Sequence, residues 1–279
     1  PYGTWIIREI ESPKGYVLSE EEIAVTIGKV DEVVEIELVN YFIKGNIALT
    51  KVDEDYPDNK LSGAVFEVYS DTNGDGKLDK DDTLLGEMKE LDGGVYQMSE
   101  LRYDKYLVKE TKAPTGFVLD ENVYSVSVEE NGKTFTVENK AGVGFINAAQ
   151  KGSLKIVKTS SDGKVEGFSF RVTGVDYDQT FKTDKNGEIV IEGLRIGDYT
   201  VSEVSDKASA GYILPADKQA TVKVNATAIV QMHNEFRDTP KTGDDFNLGL
   251  WVSLAALSVV GAGVLGFVGY KNRKKKKED

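Results

Sequence analysis

One ten-residue pattern, an alternating strand that ends on a glutamate, occurs twice in this chain and begins a third time. Leu101-Arg102-Tyr103-Asp104-Lys105-Tyr106-Leu107-Val108-Lys109-Glu110 returns as Leu194-Arg195-Ile196-Gly197-Asp198-Tyr199-Thr200-Val201-Ser202-Glu203, and Trp5-Ile6-Ile7-Arg8-Glu9 is a shorter version. Behind each glutamate a turn closes on glycine plus an aromatic: Gly15-Tyr16, Gly116-Phe117 and Gly211-Tyr212. The openings match as well, with Gly45-Asn46-Ile47-Ala48-Leu49-Thr50-Lys51 echoed by Gly152-Ser153-Leu154-Lys155-Ile156-Val157-Lys158. A repeat of roughly 80–105 residues is a domain in tandem, too long for a solenoid unit.

Each repeat reads as all-β. Short runs alternate apolar and polar residues and are bounded by Gly, Asn and Asp. Asn186-Gly187, between Phe181-Lys182-Thr183 and Ile189-Val190-Ile191, predicts a two-residue hairpin. About seven strands per domain suggest a two-sheet, immunoglobulin-like or prealbumin-like sandwich. The expected organisation is the end of a truncated domain at 1–43, full domains at 44–150 and 151–236, a linker at 237–245, a membrane helix at 246–270 and a basic tail at 271–279. The chain opens on Pro1 without a signal peptide, so the expectation is a C-terminal portion with further domains upstream.

Strand alternation places charge where it is costly. Ile47, Leu49 and Lys51 share one face of their strand, as do Tyr106, Val108 and Glu110 of theirs. Leu154, Ile156, Lys158 and Tyr199, Val201, Glu203 repeat the arrangement, and Trp5, Ile7, Glu9 give its remnant. An asparagine closes the last such face: Val34, Ile36, Leu38, Asn40 in the first copy and Val230, Met232, Asn234 in the last. In the middle domain Asn139 and Asn147 both qualify. Asn147 keeps the spacing to the next domain, whereas Asn139 keeps the spacing to the glutamate. A lysine, a glutamate and an asparagine aimed at one core must pair or shift their pKa values. A strand-end ion pair is the plain outcome. The sharper one is an internal isopeptide bond, in which burial leaves the lysine a neutral amine and the glutamate a protonated acid that polarises the carboxamide and carries the proton as ammonia leaves. Glu110, Glu203 and Glu9 are then the proton shuttles, Lys51–Asn147 (or Asn139) and Lys158–Asn234 the crosslinks, and Asn40 a member whose lysine the sequence does not contain.

At these residues the chain resembles the Cna B-type domains of Gram-positive pilins and adhesins. Tyr106, Val108, Glu110 and Ala113-Pro114-Thr115-Gly116-Phe117 match their glutamate motif, and Ser12-Pro13-Lys14-Gly15-Tyr16 fits it. The last copy departs, with Lys207-Ala208-Ser209-Ala210 before its glycine and two more residues in the turn. The resemblance implies tandem β-sandwiches closed by Lys–Asn bonds.

Thr239-Pro240-Lys241-Thr242-Gly243, the uncharged run Phe246–Tyr270 and the basic Lys271–Lys277 resemble the sorting signal of Gram-positive surface proteins, with Thr239 where that family has Leu. The run is long enough to cross a hydrocarbon core of about 30 Å as a helix, and the basic cluster marks the cytoplasmic side. The resemblance implies export, sortase cleavage between Thr242 and Gly243, and transfer of Thr242 to a peptidoglycan amine or a pilin lysine.

A calcium-type loop is written at 71–82. Asp71, Asn73, Asp75, Asp79 and Asp82 stand at ligand positions, Lys77 supplies a carbonyl, and Gly76 takes the sharp turn. Asp82 replaces the usual Glu, and the preceding Phe66–Tyr69 reads as a strand, so the loop is grafted on a sheet.

These features leave three function classes. Repeats, crosslink trios and anchor favour a wall-anchored structural stalk or pilin-like protein. A host-matrix adhesin needs a binding domain upstream, with extracellular matrix as its partner. A surface enzyme is disfavoured, because the one histidine, His233, beside Asn234, reads as a rim residue, nothing resembles a nucleophile–base pair, and the only catalysis implied is a single intramolecular turnover. Tyr56-Pro57-Asp58-Asn59-Lys60 is a faint version of a pilin acceptor site. With 47 acidic residues against 34 basic ones and a net charge of −13, nucleic acid is not an expected partner. No cysteine is present, so no disulfide can do the work of a crosslink.

Overall fold

A computed structural model describes residues 2–237. The sorting motif 239–243, the apolar run 246–270 and the basic tail lie outside these residues. Among the described residues every regular element is a strand, and no helix is long and apolar enough to cross a membrane.

The first unit holds only β1 (Gly3–Arg8) and β2 (Glu22–Ile27), an antiparallel pair. The strand expected over Val34–Asn40 does not form. Residues 32–41 carry no ladder, because no neighbouring backbone among the described residues offers them a pairing edge. Trp5 and Ile7 are correspondingly exposed, contrary to the core face expected of them.

The middle domain comprises β3 (Lys44–Asp53), β4 (Val65–Ser70), β5 (Thr83–Glu87), β6 (Lys89–Asp92), β7 (Val95–Arg102), β8 (Asp104–Lys112), β9 (Val123–Val128), β10 (Thr134–Thr136) and β11 (Phe145–Asn147). One sheet runs β10-β3-β7-β6, with β11 also on β3; the other runs β5-β4-β8-β9. The core between them gathers Ile47, Leu49 and Tyr96 from one sheet against Phe66, Val68 and Val108 from the other. That is the expected sandwich, with nine strands where about seven were predicted.

The third domain comprises β12 (Lys151–Ser160), β13 (Ser169–Gly174), β14 (Tyr177–Lys182), β15 (Glu188–Arg195), β16 (Gly197–Glu203), β17 (Tyr212–Ile213), β18 (Lys218–Val222) and β19 (Thr227–Phe236). Its sheets run β15-β12-β19-β17 and β14-β13-β16-β18. The Asn186-Gly187 hairpin is not formed. β14 pairs with β13 and β15 with β12, so the turn crosses from one sheet to the other. The Asp184 carboxylate fixes that corner by accepting the Asn186 and Glu188 N–H groups.

In both full domains the last strand runs parallel to the first. β19 lies along β12 in unbroken register from Ser153 to Ser160, whereas β10 and β11 share β3 on either side of an excursion at 137–144. The glycine that opens each domain is required by this closure. A Cβ on Gly152 would stand 2.2 Å from the Lys223 carbonyl oxygen, and one on Gly45 would stand 2.8 Å from that of Lys133. Both are clashes with backbone that no side chain can relieve.

Candidate functional site

Alternation carries Lys51 and Lys158 inward as predicted. Along β3 and β12 every second residue is buried, and each lysine falls at a buried position with at most 1% of its surface exposed. Parallel register then fixes the asparagine. Lys51 stands opposite Phe145 and Lys158 opposite Met232, so Asn147 and Asn234 each sit two residues farther along the same face. From the opposing sheet β8 and β16 deliver Glu110 and Glu203. The trio is therefore drawn from both layers and from both chain ends of each domain.

In the middle domain the three groups are joined. Lys51 Nζ donates to Asn147 Oδ1 and stands 3.5 Å from Glu110 Oε1. Asn147 Nδ2 donates to both Glu110 oxygens, at 3.0 and 2.9 Å. Lys51 and Glu110 are fully buried and Asn147 nearly so. Burial pushes the Lys51 ammonium down to about 8, against the opposing pull of Glu110. The Phe145 ring, 4.7 Å from Nζ, closes the remaining side.

Asn139 lies elsewhere. Its Nδ2 donates to Asp120 Oδ2 and to the Ile146 carbonyl, both at 2.8 Å, and its Oδ1 accepts the Ile146 N–H at 2.6 Å. It braces the residue before Asn147 and does not touch Lys51 or Glu110. Sequence reasoning missed Asp120, which accepts from Tyr124 and Asn139 and whose own N–H donates to Glu110 Oε2 at 2.8 Å.

The third domain assembles the same groups with different contacts. Asn234 Nδ2 donates to Glu203 Oε1 at 2.6 Å, but Lys158 Nζ donates to the Thr159 carbonyl, also at 2.6 Å. Glu203 Oε2 and Asn234 Oδ1 are buried without a partner. Burial raises the Glu203 carboxyl above its usual range, with Asn234 and Lys158 pulling the other way. Lys158 is lowered by burial against the attraction of Glu203. Its ammonium lies 4.3 Å from the Phe168 ring.

A backbone donor accounts for the orphaned Glu203 oxygen. In the first unit the Ser19 N–H donates to Glu9 Oε2 at 2.7 Å, as Asp120 does to Glu110. Both donors are the fourth residue past the turn glycine, in Gly15-Tyr16-Val17-Leu18-Ser19 and Gly116-Phe117-Val118-Leu119-Asp120. The third domain reads Gly211-Tyr212-Ile213-Leu214-Pro215, and proline has no N–H to give. Glu9 otherwise meets its predicted asparagine, accepting Asn40 Nδ2 at 2.7 and 2.8 Å.

The remaining predicted residues are separate. The 71–82 loop projects from the end of β4, and His233, exposed between Thr159 and Glu235, faces nothing catalytic.

No curated protein matches the chain. Among solved structures, the Bacillus anthracis TIE protein superposes with a TM-score of 0.64 at 26% identity, over 85% of this chain. The chain spans 42% of that protein. The minor pilin GBS52 of Streptococcus agalactiae matches at 16% identity and TM-score 0.32, over 72% of this chain and 100% of its own. The shaft pilin SpaA of Lactobacillus rhamnosus GG matches at 14% identity and TM-score 0.32, over 71% and 99%. These two superpositions are too loose to carry an argument. The model of the SpaA prealbumin-like fold domain matches three times, at residues 1–41, 45–141 and 152–236, one match for each unit described above. This chain belongs to the SpaA prealbumin-like fold domain family.

Proposed function

We propose that this chain is a structural stalk of a Gram-positive cell surface, a pilin-like or wall-anchored protein whose sandwiches are closed by Lys–Asn isopeptide bonds. The observation that carries the reading is the contact of Lys51, Glu110 and Asn147 inside one apolar core. The neutral Lys51 amine attacks Asn147 Cγ, the new Nζ–Cγ bond forms, and the Cγ–Nδ2 bond breaks. Glu110, which accepts both hydrogen bonds from Asn147 Nδ2, orients the carboxamide, takes the proton that Nζ gives up and passes it to the departing nitrogen as ammonia leaves. Burial serves the chemistry twice, by making the Lys51 ammonium easier to deprotonate and by excluding water that would compete for the carbonyl.

Such a bond ties the first strand to the last, so that load applied at the two ends passes through a covalent link instead of unzipping the sheet. Cysteine-free, the stalk is indifferent to reductants. The sorting signal at 239–243, ahead of the 246–270 span, supports attachment through Thr242 by a sortase to peptidoglycan or to a pilin lysine. Lys158, Glu203 and Asn234 form the second bond by the same route.

Intact mass spectrometry of the purified chain tests this directly. The native protein is expected one ammonia short for each full domain, with Glu110→Ala and Glu203→Ala each restoring one. A full mass for the native chain, refolded or not, would reduce the trio to ordinary buried polar contacts.

A further inference from the structure

The 71–82 loop carries chemistry that the crosslink does not use. Its central residues turn through Gly74 and Gly76, both at positive φ (72° and 75°), which folds the loop back on Asp71. The Gly76 N–H donates to Asp71 Oδ2 at 3.2 Å, aiming that carboxylate into the loop. Its other oxygen, Oδ1, is buried without any partner, and Asp71 as a whole is 3% exposed. A buried carboxylate oxygen without a donor is costly unless a cation satisfies it.

The remaining oxygens stand around the same turn. Asn73 Oδ1 caps the Asp75 N–H and Asp75 Oδ1 caps the Lys77 N–H. Asp79 Oδ2 accepts from Asn73 Nδ2, while Asp82 closes the loop on the Thr72 and Asp79 N–H groups. No three acidic groups among the described residues are drawn together tightly enough to hold an ion as they stand. Binding therefore requires Asp75 and Asp79 to exchange backbone contacts at the exposed surface for a cation, a small rearrangement for two short side chains.

We propose that this loop binds one calcium ion, with Asp71 Oδ1 as its buried anchor, Asn73, Asp75, Asp79 and Asp82 as further oxygen ligands and the Lys77 carbonyl completing the set. Hard oxygen donors in a flexible twelve-residue loop suit Ca²⁺ better than Mg²⁺, which demands a tighter octahedron. The rearrangement and the short Asp82 place the affinity with extracellular calcium modules, on the order of 10⁻⁴–10⁻³ M. The loop meets the first unit at a shared cleft: Thr72 and Gly74 line it with Lys14 and Tyr103, and Lys105 Nζ donates to the Gly74 carbonyl at 3.3 Å. An ordered loop therefore bears on the junction as well as on its own domain.

Limited trypsin digestion of the native chain reads the site, because Lys77 and Lys80 are exposed within it. At about 5 mM calcium, several times the expected dissociation constant, cleavage at these lysines should slow at least ~5-fold relative to chelator. Asp75→Asn, at an exposed position that leaves the fold intact, should abolish that protection. Equal protection by magnesium, or undiminished protection in Asp75→Asn, would mean general screening of an acidic loop and overturn the proposal. So would cleavage that ignores calcium in the native chain.

Discussion

The two full domains bury the same three side chains and treat them differently. In the middle domain the lysine, asparagine and glutamate form one continuous set of contacts, and a backbone N–H from Asp120 holds the glutamate. In the third domain the lysine is turned onto its neighbour's carbonyl, and one oxygen each of Glu203 and Asn234 has no partner. Burial of the trio follows from strand alternation, which is common to both. Its satisfaction depends on the loop after the glutamate, and there the third domain has Pro215 where the middle domain has Asp120, in a turn two residues longer. The difference teaches that placing reactive groups and tuning them are encoded separately, the first by the period of the strands and the second by backbone donors in a turn.

The largest expected contrast is between domains with and without their bond. Without the proposed bond, Asn147→Ala leaves β3 and β11 joined only by hydrogen bonds. Closing a loop of about 100 residues removes about 4.7 kcal/mol of unfolded-state entropy, by analogy with disulfides. Calorimetry should therefore show the middle domain's transition fall by several degrees per kcal/mol lost while the third domain's stays in place. Asn234→Ala should do the reverse, by slightly less, since its loop is shorter. A transition unchanged by either substitution would break the comparison at its root.

The same Asn147→Ala chain isolates the lysine. Lys51 is held near 8 in the folded domain against 10.5 for the free side chain. Below about pH 8 both states carry the proton and the folded state bears the full cost of a buried ammonium. As pH rises from 8 towards 10.5 the unfolded state still binds a proton that the folded state has released, so stability rises across that window, by about 3 kcal/mol in total. Lys158 is shifted in the same direction, so Asn234→Ala should show a rise of the same sign. Urea unfolding at a series of pH values measures both, and a flat profile would place the ammonium in a solvated position.

Much of this was legible in the chain. Ile47, Leu49, Lys51 and Leu154, Ile156, Lys158 are buried as strand alternation predicts, because parallel contact with the last strand leaves each one only a core face to occupy. Two readings failed for physical reasons, and one stayed open until the fold was known. Asn186-Gly187 has the composition of a hairpin turn, but which sheet a strand joins is decided by its partners and not by the turn. Val34–Asn40 has a strand's pattern with no ladder to join. Asn139 and Asn147 were inseparable by spacing, since the 137–144 excursion shifts one relative to the other without any mark in the local pattern. The glutamate's backbone donor was legible and overlooked. N–H groups are anonymous in a sequence except where proline deletes one, and Pro215 stands at the position of Ser19 and Asp120.

Pro215→Ser sharpens that point. It should supply Glu203 Oε2 with the missing donor and lower the Glu203 carboxyl, since a hydrogen bond to a charged group stabilises it by ~1.5–3 kcal/mol. Side-chain carbon NMR of labelled glutamate reads the titration, with Lys158→Met in both chains so that no bond forms. An unmoved titration would mean that the turn, two residues longer than its counterparts, carries residue 215 out of reach, and that loop length and not the proline separates the domains.

The smallest effect belongs to Asn139, which has no counterpart in the third domain because β19 is continuous. Where β10 stops and β11 resumes, the Asn139 amide does what a neighbouring strand would do, accepting the Ile146 N–H and donating to its carbonyl. Asn139→Ala removes both contacts and strands a half-buried backbone, a cost of about 1–3 kcal/mol. Because the brace acts on Ile146 and not on the trio, the variant should still lose its ammonia on folding, more slowly than the native chain but to completion by mass. If instead the Asn139→Ala mass is short by only one ammonia while that of Asn147→Ala is still short by two, Asn139 is itself the crosslinked residue and the middle domain closes through a different asparagine. Between these outcomes lies the distinction between a residue that reacts and one that holds its neighbour in place, and an interrupted strand needs both.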